Sequence, residues 1–237
     1  MYTTILWDLD DTLLDFNASE AYAFHTSMEH AGLPSNDALL ALYSKINLSF
    51  WKMLERGEIT KEVLLGQRFT SFFEAAGITG VDVPLFRDTY QRLLGSTAYD
   101  TEDSLTLCRL LHKTHRQYIV TNGVASTQRN RLRLSHLDEV MDGLFISEEL
   151  GCEKPSARFF TRSFQQIPDF KKEEAVIVGD SLTSDMAGGN QAGIACCWYN
   201  PKQYPAPDNL RIHHTIRTLW ELPPLVGRPD ILRPATS

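Results

Sequence analysis

The sequence predicts an α/β protein, with a parallel β-sheet covered on both faces and a block of helices inserted after the first strand. Three observations carry this prediction. Ile5-Leu6-Trp7 is a short apolar run that stops abruptly at Asp8, as a buried strand does when it delivers polar groups to its carboxyl end. No second regular strand candidate follows until Gln117-Tyr118-Ile119-Val120, and the stretch between is helical in its spacing. After residue 100, strand and helix alternate, which is the pattern of parallel strands joined by helical crossovers.

The elements follow in order. Within the insertion, Ala21, Phe24 and Met28 share a helical face over about 17–31, and Gly32 stops it. Leu39, Leu42, Ile46 and Phe50 mark a second helix. Val63, Leu64, Phe69, Phe72 and Phe73 mark a third, ending near Gly77, and Leu85, Tyr90, Leu93 and Leu94 mark a fourth, before Gly95. Beyond it, strands are expected at 117–121, 143–147, 175–179 and 194–198, with helices at about 102–113, 124–135, 157–167 and 184–192. With the first strand this makes a sheet of about five. A short strand at 214–216 and a helical turn at 219–222 complete the chain, whose last ten residues are expected to be loose. The domains are therefore a core of 1–15 and 98–237 and an insertion of 16–97.

Composition bounds the function. A net charge of −7 argues against broad attraction to nucleic acid or an anionic membrane. Cys108, Cys152, Cys196 and Cys197 make no paired metal-ligand spacing, so buried thiols in a reducing cytoplasm are expected rather than a zinc site or disulfides. The amino terminus lacks a basic start and a long apolar run, and no stretch approaches the roughly 20 apolar residues of a membrane span.

In open parallel sheets, ligands bind at the carboxyl ends of the strands. Here those ends carry Asp8 and Asp10, then Thr121-Asn122-Gly123, then Lys154-Pro155, then Gly179-Asp180-Ser181 with Asp185 beyond. Taken singly, the first group is compatible with a strand-to-turn connection, the second with a turn and the third with exposed surface. Their coincidence at one sheet edge argues for an active site. Asp8 and Asp10, two residues apart, can enter one cleft, and with Asp180 and Asp185 they need a hard cation, most simply Mg2+. Such an ion aligns a phosphate ester for attack by a carboxylate. Asp10 is placed to move the proton, Lys154 offsets the negative charge, and Thr121 with the amides after it can bind phosphate oxygens.

These four segments, in this order, resemble the motifs of the haloacid dehalogenase (HAD) superfamily: Asp8-Leu9-Asp10-Asp11-Thr12, Thr121, Lys154, and Gly179-Asp180 through Asp185. The resemblance implies a Rossmann-like core with an inserted helical cap. It implies Asp8 as nucleophile and Asp10 as general acid and base. It further implies a metal held by Asp8, Asp10 (through its carbonyl) and Asp180, with Asp185 and Ser181 behind them. Phosphate contacts would come from Asp8, Leu9, Asp10, Thr121, Asn122, Gly123 and Lys154. Asp10 speaks against dehalogenation, because dehalogenases of the family lack that second Asp, and Asp11 differs from the glycine usual in the phosphomutases. The segments Trp51–Thr60, Gly188-Gly189-Asn190 and Cys197–Pro201 resemble the YjjG-type pyrimidine 5'-nucleotidases.

The expected activity is therefore Mg2+-dependent hydrolysis of a small phosphate ester, foremost a nucleoside 5'-monophosphate, by a cytoplasmic monomer or homodimer with no nucleic-acid or membrane partner. A general metabolite or sugar-phosphate phosphatase, for example one acting on phosphoglycolate, is the alternative. A non-catalytic phosphate-binding protein is the remote one. For Tyr22, Phe24, His25, Trp51 and Tyr90, packing in the core of the insertion is expected before a base-binding pocket.

Overall fold

A computed structural model describes residues 1–234 of the chain. It divides into two compact units, Met1–Asp15 with Ala98–Ser237, and Phe16–Thr97.

The first unit is built on a parallel sheet of six strands among the described residues. They are β1 Thr4–Trp7, β2 Arg116–Thr121, β3 Gly143–Ile146, β4 Ala175–Gly179, β5 Ala195–Tyr199 and β6 His214–Ile216. Their spatial order is β3-β2-β1-β4-β5-β6. The sixth is the short strand expected at 214–216, which joins the sheet of about five at the β5 edge. The chain works outward from β1 to β3 and then returns to the other side of β1 at β4. Open parallel sheets bind ligands beyond the carboxyl ends of the strands flanking such a reversal, here β1 and β4.

Side chains alternate between two cores as a pleated strand requires. Ile5 and Trp7 of β1, Ile119 of β2, Val176 and Val178 of β4, and Cys197 and Tyr199 of β5 enter one core. Leu6, Tyr118, Val120, Ile177, Cys196 and Trp198 enter the other. Both faces are thus apolar, and the polar residues of these strands are displaced to their ends. One exception is internal: Gln117 is buried, accepts from the Trp7 indole at 3.0 Å, and donates to the Cys108 carbonyl at 2.8 Å. All four cysteines are buried and free.

Helices of this unit are α5 Ser104–His112, α6 Ala125–Ser135, α7 Ser147–Leu150, α8 Ala157–Phe164, α9 Ala187–Ala192 and α10 Leu222–Leu225. Three expectations are corrected. The helix expected from 102 starts at Ser104, because Glu102 and Asp103 sit at φ 53° and 60°. The helix expected from 184 begins instead as a π-type turn, Leu182–Met186, that runs into α9. The tail is only partly loose: Ile231 is buried, and Arg228 pairs with Asp230 at 2.7 Å. Residues 235–237 of that expected loose end lie outside the described residues.

The second unit contains four helices: α1 Phe16–His30, α2 Asp37–Glu55, α3 Lys61–Ala76 and α4 Val83–Leu94. (By chain order these precede the helices of the first unit.) Asn36, Thr60 and Asp82 cap α2, α3 and α4 by accepting from the amides of Leu39, Val63 and Leu85. Gly77 ends α3 at φ 67°, a conformation glycine takes without a side-chain clash. The core is aromatic: Tyr43 stacks on Phe69 at 5.3 Å, and Phe24, Phe72, Phe86 and Tyr90 pack around them. Buried Glu20 accepts from Asn47 at 2.8 Å, and buried Arg68 donates to Asn47 at 2.8 Å and to Gln91 at 3.0 Å. Phe24 and Tyr90 are core residues as expected, whereas Trp51 and His25 are half-buried and Tyr22 is exposed, with no core role.

No helix among the described residues is long and apolar enough to cross a membrane.

Candidate active site

The site is assembled at the carboxyl edge of the sheet, from segments that lie far apart in sequence. Asp8 follows β1 and is tied to the neighbouring strand β4, its amide donating to the Val178 carbonyl at 2.9 Å. The chain then turns sharply. The Leu9 carbonyl accepts from Leu13 and Leu14 at 3.0 and 2.9 Å, and Asp11 stands at φ 56°. The Leu9 side chain is fully buried in the core, so only its backbone can face a ligand.

Lys154 is the hub. Its ammonium is 1% exposed and spends three donors on three partners: Asp8 Oδ1 at 2.6 Å, Asp185 Oδ1 at 2.7 Å and the Val120 carbonyl at 2.8 Å. Burial alone would lower its pKa, but Asp185 and Asp8 outweigh that and hold it above the ordinary lysine value. The lysine is itself anchored by Asn122, whose amide side chain donates to the Lys154 carbonyl at 2.9 Å and accepts from its amide at 2.8 Å. The Asn122 side chain is therefore occupied with Lys154, and what it can offer a phosphate is its backbone amide.

Asp185 comes from the π-type turn. Its second oxygen accepts from the Ser181 amide at 3.1 Å, while the Ser181 hydroxyl caps the turn by accepting from Ser184 at 3.2 Å. Asp180 follows β4, and its carbonyl is fixed by the Trp198 indole at 2.8 Å. Carboxylate oxygens of Asp8, Asp180 and Asp185 lie within 4.8 Å of one another.

One lysine does not balance this cluster. Burial and then Asp185 push the Asp8 carboxyl up to about 8, against the pull of Lys154. Burial and then Asp8 raise Asp180 well above the usual carboxylate range. A second, multivalent cation is what would keep all three ionised together, and an all-oxygen donor set of this kind suits a hard divalent ion. The residues thus fit the ion the sequence implies.

Asp10 points to a different set of partners. Its carboxylate pairs with the guanidinium of Arg131, which is fully buried, and accepts from Gln128 Nε2 at 2.7 Å. Gln128 Nε2 also donates to Thr121 Oγ1 at 2.9 Å. Thr121 Oγ1 accepts a second bond from the Gly123 amide at 3.1 Å, which leaves its own proton to donate. Gly123 is required by close approach: a Cβ there would overlap the Gln128 side chain. Gln128 and Arg131 are the residues that the sequence reading missed. The available signal was their i, i+3 spacing on a helix that starts at the Thr121-Asn122-Gly123 turn.

The chain is similar to known proteins along most of its length. The model of the haloacid dehalogenase-like hydrolase family matches residues 5–199. YfnB of Bacillus subtilis, which carries a HAD-hydrolase name, is 37% identical over 93% of this chain and 94% of its own length. Its crystal structure bound to magnesium superposes with a TM-score of 0.91, covering 95% of this chain and 99% of that one at 36% identity. The pyrimidine 5'-nucleotidase PynA of Streptococcus pneumoniae is 38% identical over 84% of each chain. The pyrimidine 5'-nucleotidase YjjG of Escherichia coli is 26% identical over 94% of this chain and 96% of its own.

Proposed function

The chain belongs to the haloacid dehalogenase-like hydrolases, and on that premise we propose that it is a magnesium-dependent phosphomonoesterase for nucleoside 5'-monophosphates. The observation that carries the reaction type is Lys154, which holds Asp8 beside Asp180 and Asp185. A carboxylate so placed serves as a nucleophile that is also part of a cation site. The substrate class rests on the similarity to the pyrimidine 5'-nucleotidases PynA and YjjG.

Asp8, Asp180 and the Asp10 carbonyl would hold the metal, with Asp185 and Ser181 behind them. When bound, the ion would neutralise the carboxylates and the phosphate oxygens that approach them. An Asp8 oxygen attacks phosphorus, the bond to the leaving oxygen breaks, and that oxygen takes the proton of Asp10. Water then gives its proton to the Asp10 carboxylate while its oxygen bonds to phosphorus, and the bond from phosphorus to Asp8 breaks. Lys154 keeps Asp8 oriented through both steps. The Thr121 hydroxyl and the backbone amides of Leu9, Asp10 and Asn122 receive the phosphate oxygens, while the Gly123 amide, expected among them, instead donates to Thr121 Oγ1 and holds that hydroxyl in place. The helical unit, residues 16–97, is proposed as the cap that chooses among esters.

The test is phosphate release with Mg2+ from pyrimidine and purine 5'-monophosphates beside sugar phosphates and phosphoglycolate. Pyrimidine nucleotides are expected to give the highest kcat/KM. A higher value for a sugar phosphate would overturn the substrate class, and no release from any ester would overturn the reaction.

A further inference from the structure

We propose that Gln128 and Arg131 are positioning residues that set the Asp10 carboxylate for proton transfer and couple it to Thr121. The inference rests on the phosphatase reading above and adds two residues to it. Three observations carry it. First, Arg131 is fully buried, so its charge is not a surface feature and cannot reach a substrate; its guanidinium pairs with Asp10 Oδ1. Burying an arginine is costly without a partner, and here its carboxylate partner is the proposed proton carrier. Second, Gln128 uses its whole amide. Nε2 donates to Asp10 Oδ2 at 2.7 Å and to Thr121 Oγ1 at 2.9 Å, and Oε1 accepts from Arg131 at 3.3 Å. Third, the path is kept open by the missing side chain at Gly123.

Both Asp10 oxygens are thus fixed by groups from one helix, α6, and the same amide fixes the hydroxyl proposed to bind phosphate. A carboxylate held on two sides has one orientation. It therefore presents its proton, or accepts one, along a single direction relative to the phosphoryl group. Neither Gln128 nor Arg131 takes part in bond changes: a loss that runs through Thr121 slows every ester alike, and only the part that runs through Asp10 depends on the leaving group.

That restriction supplies the test. p-Nitrophenolate leaves without protonation, whereas an alkoxide needs a proton from the acid. Single-turnover release of both leaving groups is measured with enzyme in excess and Mg2+ present. The substrates are p-nitrophenyl phosphate and the alkyl phosphate ester that the wild type turns over fastest. In Gln128→Met and in Arg131→Met, alcohol release should fall about tenfold or more relative to p-nitrophenolate release, and Arg131→Lys should recover part of the ratio. Equal slowing of both leaving groups, or no slowing, overturns the inference. If Arg131→Met fails to fold by circular dichroism, Gln128→Met decides, because it removes no charge. If the wild type releases neither group, the phosphatase reading fails and this inference falls with it.

Discussion

Burial and Asp185 push the Asp8 carboxyl up to about 8, and Lys154 only partly opposes them. The sign of the stability effect follows. A folded carboxyl above its unfolded value of 3.8 holds its proton in the fold across the range up to about 8, so stability is lost as pH rises through that range. In EDTA, thermal melting should therefore move to lower temperature as pH rises toward 8. A divalent ion needs the ionised carboxylates, so the gain in Tm from Mg2+ should be larger at about pH 8 than at about pH 5. Calorimetry with and without Mg2+ checks both. Lys154→Met removes the only cation bonded to Asp8 and Asp185 among the described residues. It should cost about 3–5 kcal/mol in metal-free denaturant melts above about pH 8, where Asp8 is ionised and both buried carboxylates lose their partner. At this scale Asp8, Asp10, Lys154, Asp180 and Asp185 were legible in the sequence, because each ends an apolar run or stands at a fixed offset from one. Arg131 and Gln128 were not. Whether an arginine on a helix is solvated or buried against a carboxylate 121 positions away depends on tertiary packing, which periodicity does not encode.

Elements were read accurately where spacing and caps agree. The helices α1 to α4 follow their apolar faces, and the side-chain caps of α2, α3 and α4 fix where they begin. Irregular pieces escaped, among them the π-type turn Leu182–Met186 and the short helix Ser147–Leu150. A π turn differs from an α turn by one hydrogen-bond register, which the apolar pattern does not mark. This turn brings Asp185 against Gly179, where a Cβ would overlap the Asp185 carboxylate. Gly179→Ala should accordingly displace Asp185, cost about 1–3 kcal/mol by overpacking and lower kcat/KM, measured by denaturant melts and phosphate release. In the helical unit, Phe72 is fully buried and packs edge-on against Phe24 and Tyr43. Phe72→Ala should destabilise by about 3–5 kcal/mol in the same melts.

For the whole molecule, alternation of strands and helices made the fold class legible, and the long strand-free stretch marked the inserted helices. The strand order was not legible, since nothing in a single sequence states which strand neighbours which. The observed order places β1 between β2 and β4. This explains how Asp8, Thr121 and Asp180, carried on the ends of these three strands, meet at one edge. Packing at that edge turns separate motifs into one proposed machine with Asp8 at its centre. Rapid acid quench during turnover of a phosphate-labelled nucleotide with Mg2+ tests that claim most directly. The account predicts label bound covalently to the Asp8 peptide, lost on further incubation with water and absent in Asp8→Asn. Phosphate release with no label on Asp8 at any time, or full turnover by Asp8→Asn, would contradict it.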